Sequence, residues 1–517
     1  MAKFHNKKLN TIATASVNSA VAKVIAMKLK QGLTLHQSGK LHQAELIYEE
    51  ILKKDHRNFE ALQLLGTIAA QRKNWDKALQ MLTEALKIND KRSDVNNNLG
   101  NVLKEIKHLE EALISFNKAI KYKHDFAEAH CNRGNVLREL ERFDESLLSY
   151  ERAIEFKSNY AEAFYNRGIA LYELKRFDEA LVSFDVAIEC KGDFALAHYN
   201  SGKVFEKLRR LEEALKSYDK AIEYKSDYAD AYYNRGNVLN ELKRLDLAVY
   251  SYDKAIELNT DYANAYNNRG NALKELRRFD EAIASYEKAL SINPNIATNT
   301  KYELASLGVG KVPKLMPHEA VALLFDKYAE RFDNHLVETL DYQTPTILFD
   351  QYKRHTALKV TKLLDLGCGT GLSGEAFKSA ADIMVGVDLS EGMLSKARLK
   401  NIYTKLVCGD VLSFMKDEQD SYNLIVCSDV LVYIGDLTEL FKFINSRLEE
   451  KGFFSFSIEN SKADTYELKT TGRYGHGLTY IQEIAALTNF SVVEIQEVNL
   501  RKERGMYISG SVILLQN

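Results

Sequence analysis

Proline is nearly absent. Four occur in 517 residues, Pro294, Pro313, Pro317 and Pro345, and none precedes residue 294. A chain without that helix breaker is free to run from helix to helix over its first half. Cysteine is scarce as well. Cys131, Cys190, Cys368, Cys408 and Cys427 are odd in number, scattered, and never spaced as CxxC. That pattern excludes a disulfide framework and a zinc site, and predicts a reducing, cytoplasmic setting. Neither sign of charge dominates, with a net charge of −2, so no strongly basic face for nucleic acid is expected. No apolar run is long enough to span a bilayer. Acids are missing from the N-terminus as far as Glu45, and Lys3, Lys7 and Lys8 stand there. Asn18 and Lys23 interrupt the Thr/Ala/Ser/Val-rich run that follows, so residues 1–24 read as a lead-in extension rather than a targeting signal.

What is there exceeds one domain in length. Gly32, Gly66, Gly100, Gly134, Gly168, Gly202, Gly236 and Gly270 are each 34 residues apart. Ala44, Ala78, Ala112, Ser146, Ala180, Ala214, Ala248 and Ala282 keep the same phase. Four residues after most of them stands a ring, as at Tyr48, Phe116 and Tyr150. Small residues let two helices approach, and the ring fills the space beside them. This period and phase resemble tetratricopeptide (TPR) repeats. The resemblance predicts an all-α solenoid of eight repeats over 25–296, with 297–317 as a capping helix and linker. Proline stands at only one repeat end, Pro294, so looser inter-repeat turns are expected.

A row of asparagines precedes six of the glycines by two residues: Asn98, Asn132, Asn166, Asn200, Asn234 and Asn268. In TPR proteins this position faces the concave groove. Two readings stand: a ladder of amides for an extended polypeptide partner, or ties from helix to helix. Arg133, Arg167, Arg235 and Arg269 beside the row are expected to pair with acids on neighbouring helices. The position before each asparagine holds Asn97, Cys131, Tyr165, Tyr199, Tyr233 or Asn267, not the lysines with which some TPR domains clamp a C-terminal carboxylate.

From Lys362 strands and helices alternate, as in a doubly wound α/β sheet. The spacing predicts strands over 362–366, 383–388, 405–408, 422–427 and 453–458, with a helix ending near Gly452 and two tail strands over 491–498 and 510–515. The stretch Leu363-Leu-Asp365-Leu-Gly367-Cys-Gly369-Thr-Gly371 is a strand running into a glycine turn, a pocket for a nucleotide-like ligand. Gly369-Thr-Gly371-Leu-Ser-Gly374 also fits the dinucleotide fingerprint. On either reading Asp388, 21 residues after Gly367, would accept from ribose hydroxyls.

LLDLGCGTG, with CGDVLSF and YNLIVCSDVLVYIGDL, resembles class I S-adenosylmethionine (SAM) methyltransferases over 318–517. By that resemblance the domain is Rossmann-like, with an antiparallel pair at its edge. Asp365, Gly367, Gly369 and Gly371 would hold the methionine part. Leu389 and Met393 would pack on adenine, and Asp410 and Val411 would bind its edge. Residues 318–340 would form an amphipathic helical lid, with Tyr328 and Phe332 bordering the methionine end. Asp429, after the fourth strand, would also face the cofactor. For a base the candidates are Asp429, Tyr433, Glu459 and His476. The order of domains resembles proteins in which TPR repeats precede a methyltransferase domain and recruit a protein partner or substrate. The alternatives are a TPR scaffold with a nucleotide-sensing, non-catalytic Rossmann domain, and an NAD-linked enzyme.

Overall fold

The computed structural model describes residues 22–334, 336, 340–356, 360–503 and 505–517. The chain forms two compact units, Met1–Leu258 and Asn259–Asn517.

Among the described residues, the first unit holds seven helix pairs. The first is a helix over 22–37 with Leu41–Lys54, and the seventh is Ala229–Glu241 with Leu245–Leu258. The glycine of each first helix is demanded sterically. A Cβ on Gly134 would lie 2.5 Å from the Tyr150 ring, and one on Gly168 would lie 2.5 Å from Phe184. Helix backbone and ring therefore touch in each of these repeats except the second, where Leu82 takes the place of the ring, and the buried small residues complete the contact. The turn inside each repeat carries a feature the sequence did not suggest. Lys73, Lys107, Glu141, Lys175, Arg209 and Lys243 all adopt the left-handed conformation, with φ of 58–63°. Glycine serves there only in the first repeat, as Gly39 at φ 75°.

The second unit begins with an eighth helix pair, Ala263–Glu275 and Phe279–Ile292, and the capping helix Ala297–Ser306. The lid predicted over 318–340 is described in part. It is a helix His318–Tyr328, a 3-10 turn Ala329–Arg331 and a short turn Phe332–Asn334. Residues 335 and 337–339 of that stretch lie outside the described residues.

The sheet has seven strands: β1 Val360–Leu366, β2 Ala381–Asp388, β3 Lys405–Cys408, β4 Tyr422–Cys427, β5 Leu448–Glu459, and the tail pair β8 Ser491–Glu503 and β9 Met506–Gln516. Their order is β3-β2-β1-β4-β5-β9-β8. The first five are parallel, and β9 runs antiparallel between β5 and β8. This is the Rossmann-like arrangement with an antiparallel edge that the motifs implied. Both faces are covered, as parallel strands require. Leu364, Leu366, Ile425 and Phe456 sit in one apolar cluster, and Leu363, Leu424, Val426 and Leu514 in the other.

Two expectations fail in detail. The helix expected to end near Gly452 is Thr438–Arg447, and the chain is already strand at Leu448. A second, two-stranded sheet was not foreseen: β6 Tyr466–Leu468 pairs with β7 Tyr474–His476. Its strands are three residues each, too short to show an alternating pattern.

Candidate functional site

Beyond the carboxyl ends of β1, β2 and β4 lies a cavity of about 670 Å³, within the usual range of about 300–1,000 Å³ for small-molecule sites. The order switches between β1 and β4, which is where open α/β sheets bind ligands.

The glycine loop forms its floor. Gly367, Gly369 and Gly371 have φ of 70°, 53° and 93°. A Cβ on Gly367 would lie 2.1 Å from Val430 Cγ2, so the backbone there has room for hydrogen only. Gly369 has no atom closer than 4.0 Å to its missing Cβ, and its N–H donates to Asp388 Oδ2 at 2.9 Å. The other oxygen of Asp388 accepts the N–H of Ser390 at 2.8 Å. Asp388 thus braces the loop after β1 from the end of β2. Burial pushes its carboxyl up, against the pull of these amides. A carboxylate offers about four acceptor positions, so the Gly369 and Ser390 amides leave it capacity for other donors.

Leu389, Met393 and Val411 continue the wall beyond Asp388, and Tyr328, Phe332 and Phe325 close it from the lid. Phe325 meets Phe332 and Tyr433 edge to face, at 6.1 and 5.6 Å between ring centres. The lid also holds polar anchors. Asp326 Oδ1 accepts from Ser390 Oγ at 2.5 Å and from the Gly392 N–H at 3.1 Å. Asp333 accepts from the Thr370 hydroxyl of the glycine loop.

The far end is ionic. Arg501, at the end of β8, donates to Asp429 Oδ2 at 2.8 Å and Glu459 Oε1 at 2.6 Å. Arg473 donates to Glu459 at 2.8 Å and also pairs with Glu503. Burial pushes the Glu459 carboxyl up, but Arg473, Arg501 and Lys469 outweigh it and hold it below the usual range. Burial likewise works against the Arg501 charge, and Asp429 and Glu459 outweigh it. Three acids face three bases, Arg473, Arg501 and Lys469, so the cluster is balanced. Beside it Tyr342 shares a hydrogen bond with Ser428 at 2.8 Å.

Of the residues predicted from sequence, Tyr328, Gly367, Gly369, Asp388, Leu389, Met393, Val411, Asp429 and Tyr433 line this cavity together. Asp365, Gly371, Asp410, Glu459 and His476 are not in its wall. Asp365 is buried beneath the loop and accepts from the Tyr403 hydroxyl at 2.5 Å, and burial pushes its carboxyl up to about 7. Gly371 turns the chain into the helix Leu372–Phe377, against the Tyr403 ring. Asp410 caps the helix Val411–Asp417 through the Ser413 N–H at 2.7 Å, and His318 Nε2 stands 3.2 Å from its other oxygen. Glu459 sits behind the two arginines. His476 is fully buried, and its Nε2 lies 3.0 and 3.2 Å from the carbonyls of Ile434 and Gly435. Burial lowers it to about 4, and its Nδ1 has no partner. These contacts suit a neutral ring tying two loops together, not a base facing the cavity.

Sequence reasoning missed Arg501, Tyr342, Ser428 and Tyr403. Tyr403 was legible in retrospect. Gly374 and Gly386, which leave it room, follow the glycine loop: a Cβ on either would lie 2.5 or 3.1 Å from this side chain.

In the repeats the asparagine row does share one phase, half-buried. Each donor described turns to the preceding repeat: Asn132 to Asn97 at 3.1 Å, Asn200 to Tyr165 at 3.1 Å, Asn234 to Tyr199 at 2.9 Å, and Asn166 to the Cys131 sulfur at 3.9 Å. Asn268 holds the same phase in the second unit. The arginines beside the row turn mainly to serines of their own repeat. Arg133 meets Ser149 at 3.0 Å, Arg167 meets Ser183 at 3.0 Å, and Arg235 meets Ser251 at 2.6 Å, with Asp219 as a further partner of Arg235 at 2.6 Å.

The architecture and the glycine loop define a helical-repeat chain joined to a Rossmann-like nucleotide-pocket domain. Comparison with known families sharpens both halves. Tetratricopeptide repeat models match residues 35–96, 93–125 and 263–296, and TPR repeat models match 134–175, 210–243 and 236–277. The model for a methyltransferase domain matches residues 363–452. The chain therefore carries tetratricopeptide repeats followed by a methyltransferase domain.

Among curated proteins, the malonyl-[acyl-carrier protein] O-methyltransferase of Yersinia pestis is 32% identical over 110 residues, which are 21% of this chain. The chain spans 39% of that relative's length. Among solved structures, YrrB, described as a TPR protein with an unusual peptide-binding site, is 27% identical. The match covers 36% of this chain and 97% of that one, with a TM-score of 0.32. MamA is 25% identical, covering 32% and 96%, with a TM-score of 0.31. Among the described residues no helix is long and apolar enough to cross a membrane.

Proposed function

We propose that the C-terminal unit is a SAM-dependent methyltransferase and that the repeats recruit a polypeptide, either the acceptor or its carrier. The observation that carries the cofactor reading is the brace of Asp388 on Gly369 and Ser390 in a lidded cavity. Its unspent acceptor positions suit the two hydroxyls of a ribose. Leu389 and Met393 suit the faces of a purine, and the open backbone at Gly369 suits the amino-acid end.

Bound SAM would supply the methyl group on a sulfonium, for in-line transfer to a nucleophile. The chain's own part is alignment and exclusion of water. Phe325, Tyr328 and Phe332 cover the pocket. Asp429 and Tyr433 face it from the acceptor side. Burial pushes the Tyr433 hydroxyl up to about 12, so it serves there as a neutral donor. The Yersinia pestis relative supports methyl transfer in general, and its acyl-carrier acceptor is not carried over to this chain. For the repeats, support comes from the shared phase of the half-buried Asn132, Asn166, Asn200 and Asn234 in the first unit, a phase that Asn268 keeps in the second.

Calorimetric titration of the full chain with SAM, S-adenosylhomocysteine and NAD tests the reading. Binding of the first two is expected. Asp388→Ala should weaken SAM by roughly 2–3 kcal/mol through two lost hydrogen bonds, with folding retained. NAD binding without SAM binding would refute it.

A further inference from the structure

The acceptor end of the cavity is attached to the stretch that follows the last repeat, and it is attached twice. Tyr302, in the capping helix Ala297–Ser306, is 2% exposed. Its hydroxyl is not spent on the repeats. It donates to the carbonyl of Gly472 at 2.9 Å, and its ring meets Tyr474 edge to face. Gly472 immediately precedes Arg473, whose guanidinium lines the cavity. A helix that had only to cover an apolar face would need no hydroxyl here.

The second attachment comes a few residues later. Leu315 bridges Ile434, the Met316 N–H donates to the carbonyl of Tyr433 at 2.9 Å, and the Gly435 N–H donates to the carbonyl of Lys314 at 2.7 Å. Lys314 also pairs with Asp436 at 2.8 Å. Tyr433 lines the cavity too. Two further bonds join the attachments. The Tyr474 hydroxyl donates to the Pro313 carbonyl at 2.8 Å, and His476 binds the loop at Ile434 and Gly435. Arg473 and Tyr433, forty residues apart in sequence, are thus both fixed from residues 297–316. Among the described residues, the glycine loop and Asp388 make no hydrogen bond to that stretch.

We propose that Tyr302 is a positioning residue for the acceptor end of the site. Through the Gly472 carbonyl it sets the loop bearing Arg473 and, by way of Tyr474 and Pro313, steadies the Lys314–Met316 segment that holds Tyr433. A load on the eighth repeat would then reach the acceptor side and leave the cofactor side alone. The proposal rests on the methyl-transfer reading for its kinetic consequence, and on the geometry alone for its mechanical one.

The test is Tyr302→Phe in the full chain, which keeps the ring and removes one donor. Three measurements are compared with wild type: SAM affinity by calorimetry; transfer from tritium-methyl SAM to a cell extract titrated as the acceptor mixture, with extract alone subtracted; and amide hydrogen exchange. The extract concentration at half-maximal rate should rise about three- to tenfold, as one lost hydrogen bond allows, while the plateau rate and SAM affinity hold. A merely structural loss would lower the plateau with the folded fraction and leave half-saturation alone. Exchange over 431–436 and 469–474 should quicken by a similar factor while β1 and β2 stay protected. Unchanged half-saturation with unchanged exchange overturns the proposal, as does uniform loosening of the whole sheet. If wild type neither binds SAM nor transfers methyl, the methyltransferase reading falls, and exchange alone decides the role of Tyr302.

Discussion

Arg501→Met tests whether the acceptor end is held by its buried charges. The side chain is 10% exposed and shared between Asp429 and Glu459, themselves 14% and 2% exposed. Methionine fills much of the same volume and removes the charge. Glu459 keeps Arg473 at 2.8 Å and Lys469 at 3.2 Å. Among the described residues, the side-chain donor that Asp429 keeps is the Ser457 hydroxyl at 2.9 Å. Breaking a buried pair from one side costs about 3–5 kcal/mol, because an uncompensated charge stays behind. That corresponds to global opening roughly 10²- to 10⁴-fold more frequent. The single tryptophan, Trp75, belongs to the first unit, so its fluorescence does not report on this sheet. Exchange of the central amides of β5 and β9 does, since they open only with the unit as a whole. The effect should also depend on pH. Glu459 sits below its unfolded value, so its contribution is present above pH ~4.5 and is lost as pH falls through the folded value. The cost of Arg501→Met should therefore shrink toward pH 4. A cost below about 1 kcal/mol at pH 7, or one that does not change with pH, would refute the view that these charges depend on Arg501.

Two further outcomes are expected. His476 is lowered to about 4 by burial from an unfolded value of about 6.5, so the unfolded chain binds the extra proton first. Stability present above pH ~6.5 should fall by about 3 kcal/mol on the way to pH 4. His476→Gln, which keeps a donor for the Ile434 carbonyl, should flatten that slope in β5 exchange, and an unchanged slope would show that another group titrates. The triple variant Asn166→Ala, Asn200→Ala, Asn234→Ala removes two good inter-repeat bonds and one weak sulfur contact. It should cost the array about 1–3 kcal/mol, seen as a lower circular-dichroism melting midpoint. If it melts like wild type, the ties carry nothing. If it folds yet recovers fewer polypeptide partners in a pull-down, the row has a second role in binding.

What could be read from the sequence is what repeats or stays local. Each TPR unit meets the same collision, a glycine backbone 2.5–2.8 Å from a ring or from Leu82 once a Cβ is added, so the same residues return every 34 positions. The glycine loop and Asp388 were legible because β1 and β2 are adjacent in sequence and in the sheet, and 21 residues suffice to join them. The left-handed turns at Lys73 and its equivalents were not, since lysine, glutamate and arginine do not mark positive φ as glycine does. Nor does a sequence state burial. His476 and Glu459 resembled free catalytic groups until their partners, 41 and 42 residues away, became visible.

The same distinction separates the two ends of the cavity. The cofactor side is assembled from consecutive loops after β1, β2 and β3, so its residues can be found by spacing alone. The acceptor side is assembled from β8, the small β6–β7 sheet and the segment after the last repeat, brought together from distant parts of the chain, as Arg501 and Asp429 are across 72 residues and Tyr302 and Gly472 across 170. Charged residues arriving by such routes look like ordinary surface in sequence, yet here Arg501 and Glu459 are buried, their partners are half-buried, and the cluster is mutually balanced. A balanced cluster presents no net charge to the acceptor, so discrimination there must come from the placement of Arg473, Arg501 and Tyr433. Placement is what the Tyr302 hydrogen bond and the Lys314–Met316 segment bear on. The end of the repeats is thus fastened to the side of the pocket that bears Arg473 and Tyr433.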